Sequence, residues 1–256
     1  MNNKKQMNQK RPYILTITGF DPCGGAGALA DIKTFEANKT LGLAVSTCIT
    51  YQNENEFEHI DWLSIEQIIK QIDILFKAYR INYAKIGIIE NFEALDKVVD
   101  HLLYLNSSIK IIWDPVFSSS TGFDFHNNIK NEYIEKICKK IFLITPNWIE
   151  MKMICPELTI LEGAKKISNF CNVFLKGGHN EDFKGKDYLF TKTKQQNFRV
   201  KRIAEYPKHG SGCVLSAAIT ANLARGFSLE KACLRAKEYV TNYLCSNESL
   251  LGYHKI

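Results

Sequence analysis

Two glycine-rich turns hold the residues whose types and spacing could do chemistry. The first is Gly19-Phe20-Asp21-Pro22-Cys23-Gly24-Gly25-Ala26-Gly27, which follows an apolar run and opens a helical pattern containing Asp31. Glycines there let backbone amides come close to an anion, at a helix end whose dipole is positive. The same residues also suit a plain strand-to-helix turn, with Asp31 an ordinary surface acid. No Lys-Ser/Thr pair follows, so the turn is not a Walker loop, and its spacing is not G-x-G-x-x-G. The second turn is Lys208-His209-Gly210-Ser211-Gly212-Cys213, which runs straight into a helix. Its successive amides would form an anion hole for charge developing on a transferring phosphoryl group. A cysteine at a helix N-terminus is expected to have a lowered pKa, so a Cys213 thiolate could act as a base; the alternative is a loop with a buried Cys. Three further polar groups end apolar runs. Asn147 and Glu150, spaced i, i+3, could hold magnesium through water, or form a capping box. Lys176, before Gly177-Gly178-His179, suits a phosphate or a surface turn. Asp114, before Pro115 and Val116, could order metal or substrate, or turn the chain. Together the five read as one active-site rim.

Such a rim needs a scaffold that brings strand ends together. Continuous apolar runs predict strands over 13–18, 44–51, 84–89, 109–113, 141–145 and 173–176, and continuous rather than alternating runs mean a sheet buried on both faces, hence parallel. Helical periods lie between them over 26–38, 64–79, 92–105, 133–139 and 161–170, with Ser64 and Gln67 placed as a capping box. The stretches 187–191 and 198–203 predict antiparallel edge strands. Two helices close the chain, about 213–225, stopped by Gly226, and 228–245, capped by Ser228. The expected fold class is α/β: a three-layer α/β/α sandwich with a mainly parallel central sheet and ligands at the carboxyl ends of its strands. Residues 1–12 read as a flexible, solvated tail and 13–256 as a single domain.

The 45% hydrophobic content of the 256 residues argues against wholesale disorder. A net charge of +6, from 33 Lys+Arg against 27 Asp+Glu, is mild and scattered, which argues against a nucleic-acid partner. No apolar run approaches a membrane span, and the first residues lack the core of a signal peptide. Eight cysteines with no C-x-x-C spacing predict free thiols in a cytoplasmic protein, and no clustering of His and Cys along the chain predicts a zinc site.

In order, the stretches 15–35, 46–53, 85–89, 114–116, 144–150, 175–179 and 209–219 resemble the hydroxymethylpyrimidine/phosphomethylpyrimidine kinases, the thiamine-pathway members of the ribokinase-like superfamily. The resemblance spans about residues 13–245. It implies a ribokinase-like fold, ATP and Mg2+, a homodimer, and phosphorylation of 4-amino-5-hydroxymethyl-2-methylpyrimidine and then of its monophosphate. It places Gly19, Asp31, Thr50, Gln52, Ile88 and Val116 at the pyrimidine. Gln52 both donates and accepts, which fits an aminopyrimidine edge. Lys176, Gly178, His209 and Asn147 would meet ATP, and Asn147, Glu150 and Asp114 the metal, through water. Gly210, Ser211 and Gly212 would form the anion hole, with Cys213 where sugar kinases of this fold carry their catalytic Asp. The chain departs from the family pattern in three places. Cys23 replaces a frequent Ser, Ser120-Thr121-Gly122 replaces a Lys-Ser-Gly flap, and Pro207-Lys208 replaces Asn-Thr, which suggests Lys208 as a substitute for the lost positive charge. A pyridoxal-type kinase of the same fold is the near alternative; a non-catalytic ligand-binding regulator is the remote one.

Overall fold

The computed structural model describes residues 11–118, 131–179, 185–199 and 206–255. Its elements run β1 (Tyr13–Phe20), α1 (Gly27–Ala37), β2 (Leu41–Gln52), β3 (Phe57–Trp62), α2 (Ile65–Ala78), β4 (Tyr83–Ile86), α3 (Phe92–Leu105), β5 (Lys110–Trp113), α4 (Asn131–Cys138), β6 (Leu143–Ile144), α5 (Trp148–Ile154), α6 (Ile160–Ile167), β7 (Asn172–Leu175), β8 (Asp187–Phe190), β9 (Gln195–Phe198), α7 (Ser211–Ala224) and α8 (Leu229–Leu244). Among the described residues the nine strands form one sheet in the order β3-β2-β1-β4-β5-β6-β7-β8-β9. The six from β2 to β7 are parallel, and β3, β8 and β9 join antiparallel at the two edges.

Both faces of the central strands are covered, as their continuous apolar runs require. Leu15, Ile17, Ile86 and Ile111 face the layer of α2 to α6. Ile14, Ile112, Leu143 and Phe174 face α1, α7 and α8. Helix α7 is buried from Val214 to Leu223; its alanines 217, 218 and 221 let it lie directly on the sheet and on α1. Ser64 and Gln67 form the expected capping box on α2, and Ser228 caps α8.

Three expectations are revised. β3 has no counterpart in the sequence reading, because FEHIDW mixes charged and apolar residues and half of it faces solvent. The second edge strand lies earlier than 198–203: a tight turn, with the Thr191 amide donating to the Lys194 carbonyl at 2.8 Å, pairs Asp187 with Phe198. The strand expected over 141–145 is only two residues long. The expected tail, for residues 1–10, and the Ser120-Thr121-Gly122 segment lie outside the described residues. No described helix is long and apolar enough to cross a membrane.

Candidate active site

The chain moves outward from β1 to β2, returns to β4 on the other side of β1, and continues away. This reversal leaves a crevice at the carboxyl ends of the strands, where open α/β sheets bind ligands. Both glycine turns close over it. Gly27, at φ +58°, sits so tightly on β1 that an added Cβ would lie 2.4 Å from the Gly19 carbonyl oxygen. Gly210, at φ +69°, packs on the first turn in the same way, 2.1 Å from the Gly25 carbonyl oxygen. Gly27 also donates its amide to the Cys213 thiol. The two turns therefore meet at Cys213, the third residue of α7. Helix geometry leaves the amides of residues 211–213 without intrahelical acceptors; that of Ser211 turns back to the Lys208 carbonyl at 3.4 Å.

Beside it runs a row of buried charges. Lys85 bonds both oxygens of Asp31 at 2.8 Å, and the Thr16 hydroxyl donates to the same carboxylate. Lys176 donates to Asp114 Oδ1 at 2.8 Å and lies 3.5 Å from Glu150 Oε2. Thr145 and Ser216 donate to the two oxygens of Asp114. Three carboxylates thus share two ammonium groups. Lys176 also stands 3.4 Å from where a Gly212 Cβ would lie, so the ammonium lies against the first turn of α7. Gly178 is exposed, and among the described residues nothing lies within 4 Å of where its Cβ would be.

Most of the other residues expected at the pocket gather around the carboxyl end of β1. An added Cβ on Gly19 would press on Cys48 of β2 and on Ile88 just past β4, at 2.5 and 3.0 Å, so glycine lets β1 lie close to both. The Thr50 hydroxyl donates to the Phe20 carbonyl and accepts from Gln52 Nε2, both at 2.9 Å. Val116 is half-buried beside Gly87, Phe92 and Trp113.

Several residues stand differently from the sequence reading. Asp31 lies beneath the pocket rather than on its wall; it is fully buried and holds Lys85. His209 turns its ring inward, with Nε2 3.0 Å from Asp21 Oδ2, and packs over Gly25 instead of facing a nucleotide. Asn147 and Glu150 form a reciprocal capping box on α5: Asn147 Oδ1 accepts the Glu150 amide at 2.8 Å, and Glu150 Oε2 accepts the Asn147 amide at 2.6 Å. Lys208 is no substitute phosphate ligand, because its ammonium is spent on the carbonyls of Asn247 and Ser249. The expected lowered Cys213 pKa is overturned. Burial pushes the thiol up to about 11; Lys85 pulls it down, but Asp114 and Asp31 oppose that. Lys85 was missed as a functional residue, although an ionisable side chain inside the apolar run YAKIGII was a usable signal.

Glu150 yields a test of this electrostatics. Burial raises its carboxyl to about 7 and Asp114 repels it further up, against Lys176 and the Asn147 amide, which pull it down. A carboxyl raised in the folded state binds its proton more tightly there. Its stabilisation is complete below the ordinary carboxylate value and is lost as pH rises toward 7. Glu150→Gln keeps the reciprocal cap and removes the penalty, on the order of 1–3 kcal/mol. The variant is expected to melt about 3 °C or more above the native chain at pH 8, with the gap shrinking by pH 5. An equal gap at both pH values would refute the raised carboxyl.

The family model for phosphomethylpyrimidine kinase matches residues 21–255. A hydroxymethylpyrimidine/phosphomethylpyrimidine kinase of Staphylococcus aureus is 34% identical over 242 residues, covering 91% of this chain and 87% of that protein. A crystal structure of the phosphomethylpyrimidine kinase of Clostridium difficile superposes with TM-score 0.77 at 29% identity, covering 91% of this chain and 99% of the other. The Bacillus subtilis pyridoxal kinase, solved with ADP, superposes at 0.79 with 25% identity, covering 92% of each chain. The fold is the ribokinase-like one that these kinases share, and with the family model running from Asp21 of the first glycine turn through the second and the charged row between them, the chain belongs to the phosphomethylpyrimidine kinase family.

Proposed function

We propose that this chain transfers the γ-phosphoryl group of ATP to the hydroxymethyl oxygen of 4-amino-5-hydroxymethyl-2-methylpyrimidine, and then phosphorylates the monophosphate in the same site. One arrangement supports the reading: the Lys176 ammonium lies against Gly212 at the start of α7, next in sequence to Cys213, while Gly19, Ile88, Thr50 and Gln52 gather around the carboxyl end of β1. Gln52 Nε2 is engaged by Thr50, which leaves Oε1 to accept from the amino group of the pyrimidine ring. The open turn at Gly178 and the Lys176 ammonium receive the ATP phosphates. The amides of Ser211, Gly212 and Cys213 stabilise the charge that spreads over the equatorial oxygens during in-line transfer. Cys213 accepts the hydroxymethyl proton.

Magnesium is part of the proposal. Asn147 Oδ1 and both Asp114 oxygens already accept hydrogen bonds, so these groups suit contact through water rather than direct ligation. The carboxylate excess beside Glu150 suits a hard divalent cation entering with the nucleotide. When bound, the ion neutralises phosphate charge. A homodimer is also proposed, supported by Ile49 and Tyr51 on β2, each close to half exposed. The eight free thiols support a cytoplasmic setting.

Release of ADP from ATP·Mg with the hydroxymethylpyrimidine, its monophosphate or pyridoxal as acceptor is the test. The two pyrimidines are expected to turn over faster than pyridoxal. Faster turnover of pyridoxal would keep the site and overturn the substrate. A folded chain that binds ATP and turns over none of the three would overturn the kinase reading.

A further inference from the structure

The fold assembles a ligand set that no spacing in the sequence foretells. Asp21 and Cys23 lie on the first glycine turn and His209 on the second, 188 residues from Asp21. The Cys23 thiol donates to Asp21 Oδ2 at 3.3 Å, and His209 Nε2 lies 3.0 Å from the same oxygen. One sulfur, one nitrogen and one oxygen atom thus stand within 4.8 Å of one another. Asp21 and His209 are buried, whereas Cys23 is half-exposed, which leaves a path from solvent. The donors are already positioned: the Ala26 amide fixes Asp21 Oδ2 at 2.8 Å, the Cys23 amide holds Oδ1 at 3.0 Å, and the His209 ring is packed over Gly25.

We propose that Asp21, Cys23 and His209 form a binding site for a borderline-soft divalent cation of the zinc class, separate from the magnesium that accompanies ATP. Three protein donors with one open position match the coordination that zinc accepts, and a thiolate with an imidazole selects zinc or cobalt over magnesium. On binding, the S–H bond of Cys23 breaks, the thiolate bonds the metal, and the proton leaves to solvent. The imidazole binds through the Nε2 lone pair with its proton on Nδ1. The ion would tie the 21–27 turn to the 208–212 turn, the two walls that meet at Cys213.

Cobalt(II) titration of the full chain, without a histidine tag and with reduced thiols, tests the site. One equivalent is expected to produce a near-ultraviolet sulfur-to-cobalt charge-transfer band with the visible bands of a four-coordinate ion. Zinc should displace it and millimolar magnesium should not. Cys23→Ser, of nearly the same volume, should lose the charge-transfer band and bind cobalt at least ~10-fold more weakly. A second readout needs no variant: in the native chain, alkylation of the Cys23 peptide followed by mass spectrometry should slow when one equivalent of zinc is present. Absence of the band, an equal band in Cys23→Ser, or Cys23 alkylation indifferent to zinc would each overturn the proposal.

Discussion

Cys213→Ala is expected to lower turnover about 100-fold or more, with the KM for ATP changed by no more than about threefold. In the proposed reaction the nucleotide rests on Lys176 and on backbone amides that alanine retains, so the substitution should spare binding and remove the proton acceptor. The pH profile separates this role from a packing role. With the thiol pushed up to about 11, roughly one molecule in a thousand carries the thiolate at pH 8. The thiolate fraction, and with it the turnover of the native chain, should climb about tenfold per pH unit between 7 and 9. The alanine variant should be flat over that range. A variant that keeps near-native turnover would remove Cys213 from the reaction, and a native profile as flat as the variant's would remove the thiolate.

The parts of this site differ in how far the sequence exposed them. The parallel sheet was legible because YILTIT and KIIW are continuous apolar runs, and burial on both faces is what such runs demand. The turn into α7 was legible because Gly210 and Gly212 stand just before an apolar helical run; Gly210 caps the helix, and Ser211 and Gly212 are its first two residues. Side-chain partners were not. Asn147 and Glu150 fit a capping box and a metal motif equally by spacing, and only the structure shows the cap. Asp31 is one turn inside α1 and read as a surface acid or a pocket wall; its partner Lys85 comes from strand β4, 54 residues on. His209 and Asp21 likewise meet only because the fold closes one glycine turn on the other. Glycines announce where the backbone bends, whereas the pairing of buried charges depends on strand order, which no local pattern contains.

The Asp31–Lys85 pair carries the second large expectation. Both side chains are fully buried. Full burial drags the Lys85 ammonium down, yet Asp31, Cys213 and Asp114 together hold it above its ordinary value, so it is charged at every working pH. Lys85→Met removes the ammonium and leaves a carboxylate sealed between α1 and the sheet. Breaking a buried pair on one side typically costs about 3–5 kcal/mol, which for a chain of this size corresponds to a melting point roughly 10 °C lower. Adding Asp31→Asn removes the stranded charge while keeping an acceptor for the Thr16 hydroxyl. The double variant should therefore regain at least half of the lost stability. It should not regain turnover, because Lys85 is the positive charge that draws the Cys213 thiol downward. Thermal melts and ADP release on the two variants test both halves. Equal melting points for the single and double variants would show that Asp31 is not the stranded charge. Recovery of turnover along with stability would show that Lys85 only supports the fold, and that the proton transfer at Cys213 does not need its field.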